Sequence, residues 1–168
     1  MRALYLVSVW IHIVAATVWI GGMLFLVLVI VPWLRRGNKS NAAAFLSETG
    51  TRFRNIGWTC FGILSVTGCF NLWMRGIRFA DFTRAEWLSS PFGKTVLSKL
   101  GVFTVVMVVS AVHDFVIGPR ATGAIARAPG SHQALALRRR ASFLGRLNVL
   151  LALVLVGIGV VLVRGLPW

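Results

Sequence analysis

The sequence predicts an all-α integral membrane protein, an up-down bundle of four transmembrane helices. Three observations lead there. Of the 168 residues, 57% are hydrophobic, more apolar side chain than a soluble fold of this length buries. Four apolar runs, at about 4–34, 56–74, 93–117 and 143–163, exceed the roughly 18 residues that mark a membrane span. The net charge of +14 is concentrated at the ends of these runs, where basic residues orient a chain and meet anionic lipid. Short connections make sequential helices antiparallel neighbours. Residues 1–168 therefore read as one membrane domain. No separate basic soluble region is present, so the expected partner is the lipid bilayer and not nucleic acid.

The first run stays apolar past Ala15-Ala16 as far as Val31, too long for the core of a cleaved signal peptide, so it is expected to stay as a span. At about 45 Å such a helix must tilt or project from the hydrocarbon. Pro32 and the run Arg35-Arg36-Gly37-Asn38 are expected to end it. His12, Ala16, Trp19 and Met23 recur at helical spacing and form one stripe, and Gly21-Gly22 admits a close neighbour.

A polar segment from Asn41 to Arg54 follows, with a short interfacial helix expected over Ala42 to Leu46. In the second span, Gly57, Phe61, Leu64 and Gly68 share a face suited to helix packing, with Thr67 and Asn71 as interior polar groups. Cys60 and Cys69 fall on roughly opposite faces of this helix, so they read as small apolar fillers and not as a disulfide. Arg75 to Ser90 is expected to be a loop holding Asp81, Glu86 and Trp87, with Ser89-Ser90-Pro91 opening the third helix.

The third span, GKTVLSKLGVFTVVMVVSAVHDFVIGP, carries Lys99 near one end and His113-Asp114 near the other. Ionisable groups at such depths usually face a bundle interior or a cavity. Gly118-Pro119 is expected to stop the helix, leaving a loop from Arg120 to about Ala141 with His132 solvated on it. The fourth span contains Asn148, Gly157 and Gly159.

The loops set the orientation. The first connection carries Arg35, Arg36, Lys39, Arg52 and Arg54. The third carries Arg120, Arg127, Arg138, Arg139, Arg140 and Arg146. Both are expected in the cytoplasm, with both termini outside, in a bacterial inner membrane. Trp33 and Trp58 would then mark the inner interface, and Trp73, Trp87 and Trp168 the outer one.

Depth along the spans, at about 1.5 Å per residue, sorts the polar groups into two layers. His12, Asn71 and Lys99 fall roughly 10 Å toward the outside. Thr59, His113, Asp114 and Asn148 fall roughly 10 Å or slightly more toward the cytoplasm. His12 and His113 are thus too far apart to be the two axial ligands of one haem. Each layer has a plain structural reading as well: His12 bonding a carbonyl, Lys99 snorkelling, and His113-Asp114 pairing with a nearby Arg. A buried lysine is hard to excuse by packing alone.

Imidazole suits haem iron or copper, and a soft copper site adds sulfur. His12 is the candidate metal ligand, with Cys69 and Met74 as weaker ones. The chain has no Met-x-Met or Cys-x-x-Cys cluster, Walker loop, nucleophile–base triad or paired carboxylates.

The segments VWIHIVAATVWIGGMLF, SVTGCFNLWMRG, PFGKTVLSKLGVFTVVMVVSAVHDFVIGPR and LGRLNVLLALVLVGIGVVLVRG resemble the CopD (copper resistance protein D) family. A His in the first span followed by Lys-Leu and His in the third is also similar to the HemJ-type protoporphyrinogen oxidases. That second resemblance implies a four-helix membrane haem protein, with His12 as a haem ligand and Lys99 important to activity. Where HemJ proteins carry Asn-Glu-x-Pro in the fourth span, this chain reads LNVLLA. Three functions follow as expectations. The first is a CopD-like protein handling copper, or a copper-linked redox cofactor, at the outer layer, supplied by a copper-delivery protein. The second is a b-type haem protein that oxidises a porphyrin precursor or passes electrons to quinone. The third is a structural membrane subunit.

Overall fold

The computed structural model describes residues 1–36, 42–128 and 130–165. Gly37, Asn38, Lys39 and Asn41 of the first connection, Pro129 and the belt residue Trp168 lie outside these. Four helices are long and apolar enough to cross a membrane, and no strand occurs among the described residues. Helix α1 (Arg2–Phe25) continues through a π-helical turn (Leu26–Ile30) into α2 (Val31–Arg36). Helix α3 spans Ala42–Met74. A 3₁₀ turn (Phe79–Thr83) and the short α4 (Ala85–Ser89) lead to α5 (Pro91–Ala111). That helix runs through a second π-helical segment (Val112–Ile117) into α6 (Gly118–Arg127), and α7 (His132–Arg164) completes the chain.

Three expectations are corrected by these bounds. The interfacial helix at Ala42 is not separate but forms the start of α3, which begins well before Ile56. Neither Pro32 nor Pro119 ends its helix. A proline has no N–H to donate and its ring crowds the carbonyl four residues back. Here the helix widens by one residue just ahead of each ring. The Val31 N–H donates to the Leu26 carbonyl and the Gly118 N–H to the His113 carbonyl, each five residues back. The widened turn brings the His113 carbonyl oxygen within 2.9 Å of where a Cβ on residue 118 would stand, which explains the glycine there.

The expected loop from Arg120 to Ala141 is in fact mostly helix. His132 is the first residue of α7 and no part of a loop, because the Ser131 hydroxyl accepts the Ala134 N–H at 3.2 Å as an N-cap. The start of α5 follows the expected pattern: Ser90 caps it, accepting from the Gly93 N–H at 3.0 Å, and Pro91 takes the first helical position.

Between lipid and lipid-facing helices there is little hydrophobic driving force, so shape-matched side chains must hold the bundle together. Its centre is aromatic. Trp19 of α1 meets Phe61 of α3 edge-on with centroids 4.9 Å apart, and Phe61 meets Phe103 of α5 at 5.9 Å. Leu64, Val106 and Ala152 complete this plug, with Val106 and Ala152 fully buried. Most other large apolar side chains of the spans are exposed, as a lipid-facing surface requires. Trp58, expected at the inner interface, meets Phe61 edge-on, tilts against Phe115 and donates its Nε1–H to Asp114 Oδ2 at 3.2 Å, so it links α3 to the third span.

Candidate functional site

The antiparallel pairing of α1 and α3 builds the outer polar layer. His12 Nδ1 lies 2.7 Å from Thr67 Oγ1. Tyr5, two turns further out on α1, accepts from Arg75 Nε at 3.1 Å. These two bonds fix the register and set Ser8 opposite the turn of α3 that holds Asn71. Ser8, Ala15, Trp19 and Met23 form the buried stripe of α1, with His12 half-buried on the same face. Gly68 lies against the imidazole: a Cβ there would make an ordinary van der Waals contact with His12 Cε1 at 3.6 Å.

Thr67 decides how the imidazole is presented. Its hydroxyl has one proton and two acceptors in reach, the Ile63 carbonyl of its own helix at 2.6 Å and His12 Nδ1 at 2.7 Å. With that proton on the helical carbonyl, the hydroxyl accepts from His12. The ring then carries its hydrogen on Nδ1, which leaves the Nε2 lone pair uncommitted. A second partner fixing one ring nitrogen so that the other is available is the arrangement of a metal-ligating histidine.

About one turn outward from the His12–Thr67 pair, Ser8 Oγ and Asn71 Oδ1 are buried without a hydrogen-bond partner; so is Trp87 Nε1 of α4, which packs beside α5. Lys99, on α5, is half-buried and reaches toward α7, where a Cβ on Gly159 would stand 4.0 Å from its Nζ. It is within electrostatic reach of both His12 and Arg75. The chain's four acidic residues are Glu48, Asp81, Glu86 and Asp114. Glu48 pairs with Arg52, Asp81 and Glu86 with Arg84, and Asp114 belongs to the other layer. The outer layer thus has an imidazole, an ammonium and a guanidinium with no carboxylate among them, which favours a ligand carrying negative charge.

The sulfur candidates fare differently. Cys69 is exposed on the face of α3 turned away from His12. Met74 is half-buried and shares the face of Thr67 and Asn71, but two turns further out, roughly 10 Å along the axis. Among the described residues, no three His, Cys, Asp or Glu side chains converge into a metal cage. The donors near His12 are oxygen and nitrogen.

The inner layer is held by pairs of its own. Asn148 Nδ2 donates to Ser110 Oγ at 2.7 Å in a buried contact between α7 and α5, with Met23 Sδ at 3.9 Å, while Asn148 Oδ1 has no partner. His113 Nδ1 donates to Asp114 Oδ1 at 2.9 Å, and Trp58 donates to the other carboxylate oxygen. The widened turn Val112–Ile117 presents both residues; such turns recur at functional positions. Thr59 is not part of this layer; it is exposed and donates to the Asn55 carbonyl of its own helix at 2.9 Å. The aromatic plug separates the two layers.

Sequence reasoning had placed Asn71 level with His12; the partner is Thr67, one turn deeper. The cause is the length of α3: its early start moves the midpoint of the span inward. Ser8 and Ser110 were missed, although each stands about one helical turn from a candidate already chosen, His12 and His113-Asp114.

The architecture defines a multi-pass membrane protein with polar side chains in two layers of its interior. Within that class, residues 47–162 match the family model described as Copper resistance protein D, and the chain belongs to this CopD family. The match takes in Asn71, Lys99, His113, Asp114 and Asn148 but begins after α1 and His12. An uncharacterized protein of Aquifex aeolicus (strain VF5) is 35% identical over 161 residues, covering 95% of this chain and 94% of its own length. No solved structure matches the chain.

Proposed function

We propose that this protein handles copper at its outer polar layer, with His12 Nε2 as the atom that meets the metal. The observation that carries this reading is the 2.7 Å bond between His12 Nδ1 and the Thr67 hydroxyl, which engages one ring nitrogen and leaves Nε2 for a metal. Membership of the CopD family supports copper as the metal. An imidazole with hydroxyl and amide oxygens nearby suits Cu(II) better than Cu(I), which prefers sulfur. The positive charge of Lys99 opposes a bare cation beside this imidazole, so the site is weak and exchangeable unless an anion accompanies the metal, and is fitted to passing copper on and not to storing it. The protein then sits in a bacterial inner membrane with both termini outside, and a copper-delivery protein supplies it from that side. The concentration of basic residues near the opposite span ends supports this orientation.

A second reading rests on a separate observation. Lys99 is within electrostatic reach of His12, and Arg75, which bonds Tyr5 two turns further out, is within reach of Lys99; an ammonium and a guanidinium outward of an imidazole suit a b-type haem, whose propionates they would hold while His12 met the iron. Haem would supply one-electron chemistry there, with quinone or a porphyrin as reaction partner.

One experiment separates these. The protein is purified from cells supplied with both copper and haem precursor, and its absorption spectrum and metal content are measured for wild type, His12→Ala and Lys99→Leu. In the copper reading, His12→Ala lowers copper and Lys99→Leu raises it, because a like charge has gone. In the haem reading, both substitutions weaken the Soret band. A wild-type protein with neither copper nor haem refutes both and leaves polar layers that only hold helices together.

A further inference from the structure

At the opposite end of the bundle from His12, two grooves of different chemistry adjoin. One, of about 610 Å³, lies where α6 turns into α7 and is lined by Arg120, Arg127 and Arg140 among small and polar residues. The other, of about 410 Å³, runs along the third span against α7 and is lined by Val112, Ile117, Phe143 and Leu144, with Arg139 and Arg140 at its head. Arg140 belongs to both. Both are open surface grooves and not enclosed cavities.

The four guanidinium groups have no internal counterion. All four carboxylates of the chain are engaged elsewhere, Glu48 on Arg52, Asp81 and Glu86 on Arg84, and Asp114 on Trp58 and His113. All four are exposed, so their charge is met from outside, by solvent ions or by an anionic headgroup. Arginine forks match phosphate oxygens, and basic pockets between helices at a membrane surface take anionic headgroups. A free phosphate compound would use the basic groove alone. The apolar groove that begins at the shared arginine and follows the span toward the bilayer core fits a hydrocarbon chain.

We infer that this end of the bundle holds one anionic phospholipid, with its phosphate in the Arg120–Arg127–Arg140 groove and an acyl chain along Val112, Ile117 and Phe143. The widened turn at Val112–Ile117 forms one wall of the apolar groove, so a bound lipid rests against the element that presents His113 and Asp114.

Native mass spectrometry of the full chain in detergent, titrated with phosphatidylglycerol or phosphatidylcholine, tests this. Phosphatidylglycerol should be retained as a single adduct and phosphatidylcholine should not. Arg120→Gln with Arg140→Gln should weaken retention roughly tenfold or more, since each basic group near the surface contributes measurably to anionic-lipid binding. Arg52→Gln with Arg164→Gln, the same charge change at exposed positions that line neither groove, should leave it within about twofold. The conservative pair Arg120→Lys with Arg140→Lys should fall between, which separates loss of the site from loss of the fold. Equal weakening by both Gln pairs would mean diffuse charge attraction and would overturn the proposal. So would displacement of the lipid by glycerol 3-phosphate at equal concentration, since the acyl groove would then contribute nothing.

Discussion

Replacing Thr67 by valine removes one oxygen from the outer layer and almost nothing else. Valine has nearly the same shape, and the Ile63 carbonyl that loses the hydroxyl bond still has its helical partner. What changes is His12. Its Nδ1, 2.7 Å from the hydroxyl oxygen in the native protein, would face a methyl group in a position where residue 67 is only 8% exposed. A buried donor left without an acceptor costs about 1–3 kcal/mol. The ring can recover that energy only by turning or by moving its hydrogen to Nε2, and either change spoils the metal ligand. At about 1.4 kcal/mol per tenfold, the range corresponds to roughly a 5- to 150-fold loss of metal or haem affinity. Loss of an outer-shell partner typically costs 10–100-fold. Titration of copper or haem into purified Thr67→Val, compared with wild type and Thr67→Ser, measures it. Thr67→Ser should retain affinity within a few-fold, because it keeps the acceptor. If Thr67→Val binds as tightly as wild type while His12→Ala does not bind, the hydroxyl does not set the imidazole and the reasoning fails.

Three further outcomes are expected. Phe61→Ala, at the centre of the aromatic plug and 2% exposed, should destabilise the fold in detergent unfolding by an amount toward the low end of about 3–5 kcal/mol, because in lipid the packing loss remains while the transfer term largely vanishes. Asn148→Ala removes the buried bond to Ser110 and should cost only about 0.6 kcal/mol in the same assay, the scale of an interhelical hydrogen bond in a membrane. In a cysteine-free background, single cysteines at Ser47 and Gln133, both exposed, should resist a membrane-impermeant thiol reagent in intact cells and react after permeabilisation; labelling of both from outside would reverse the proposed orientation.

The number and type of the long helices were legible because the bilayer imposes the same demand on every span, an apolar run of sufficient length. Their ends were not. Composition marks where hydrocarbon stops, whereas helix ends are set by caps and backbone bonds, so Ser131 starts α7 in a polar stretch that hydropathy reads as loop. The two prolines misled for a related reason. The rule that proline breaks a helix assumes fixed hydrogen-bond spacing, and a chain that widens by one residue escapes it. His12, Lys99 and Asn71 were visible as polar residues in apolar runs. The pairing of His12 with Thr67 was not, because it depends on how far α3 extends below its apolar part. Thr59 looked equivalent to Asn148 by depth alone, and only the direction around the helix separates them.

The widened turns also bear on how such a chain can change length. In a regular helix one inserted residue rotates everything beyond it by about 100°, so that a lipid-facing side becomes an inward one. A π-helical turn absorbs one residue locally and returns the remainder to its former face. The first and third spans each hold such a turn near the same end of the bundle, ahead of Pro32 and Pro119. These are places where a residue can be gained or lost without turning His12, or the Lys99 side of α5, out of the interior. A relative shorter by one residue at either turn, with the proline also replaced, can therefore keep the same inward-facing set, whereas a one-residue gap inside Arg2–Phe25 or Pro91–Ala111 cannot. An alignment across these spans should place its gaps at the turns first, before any histidine is judged present or missing.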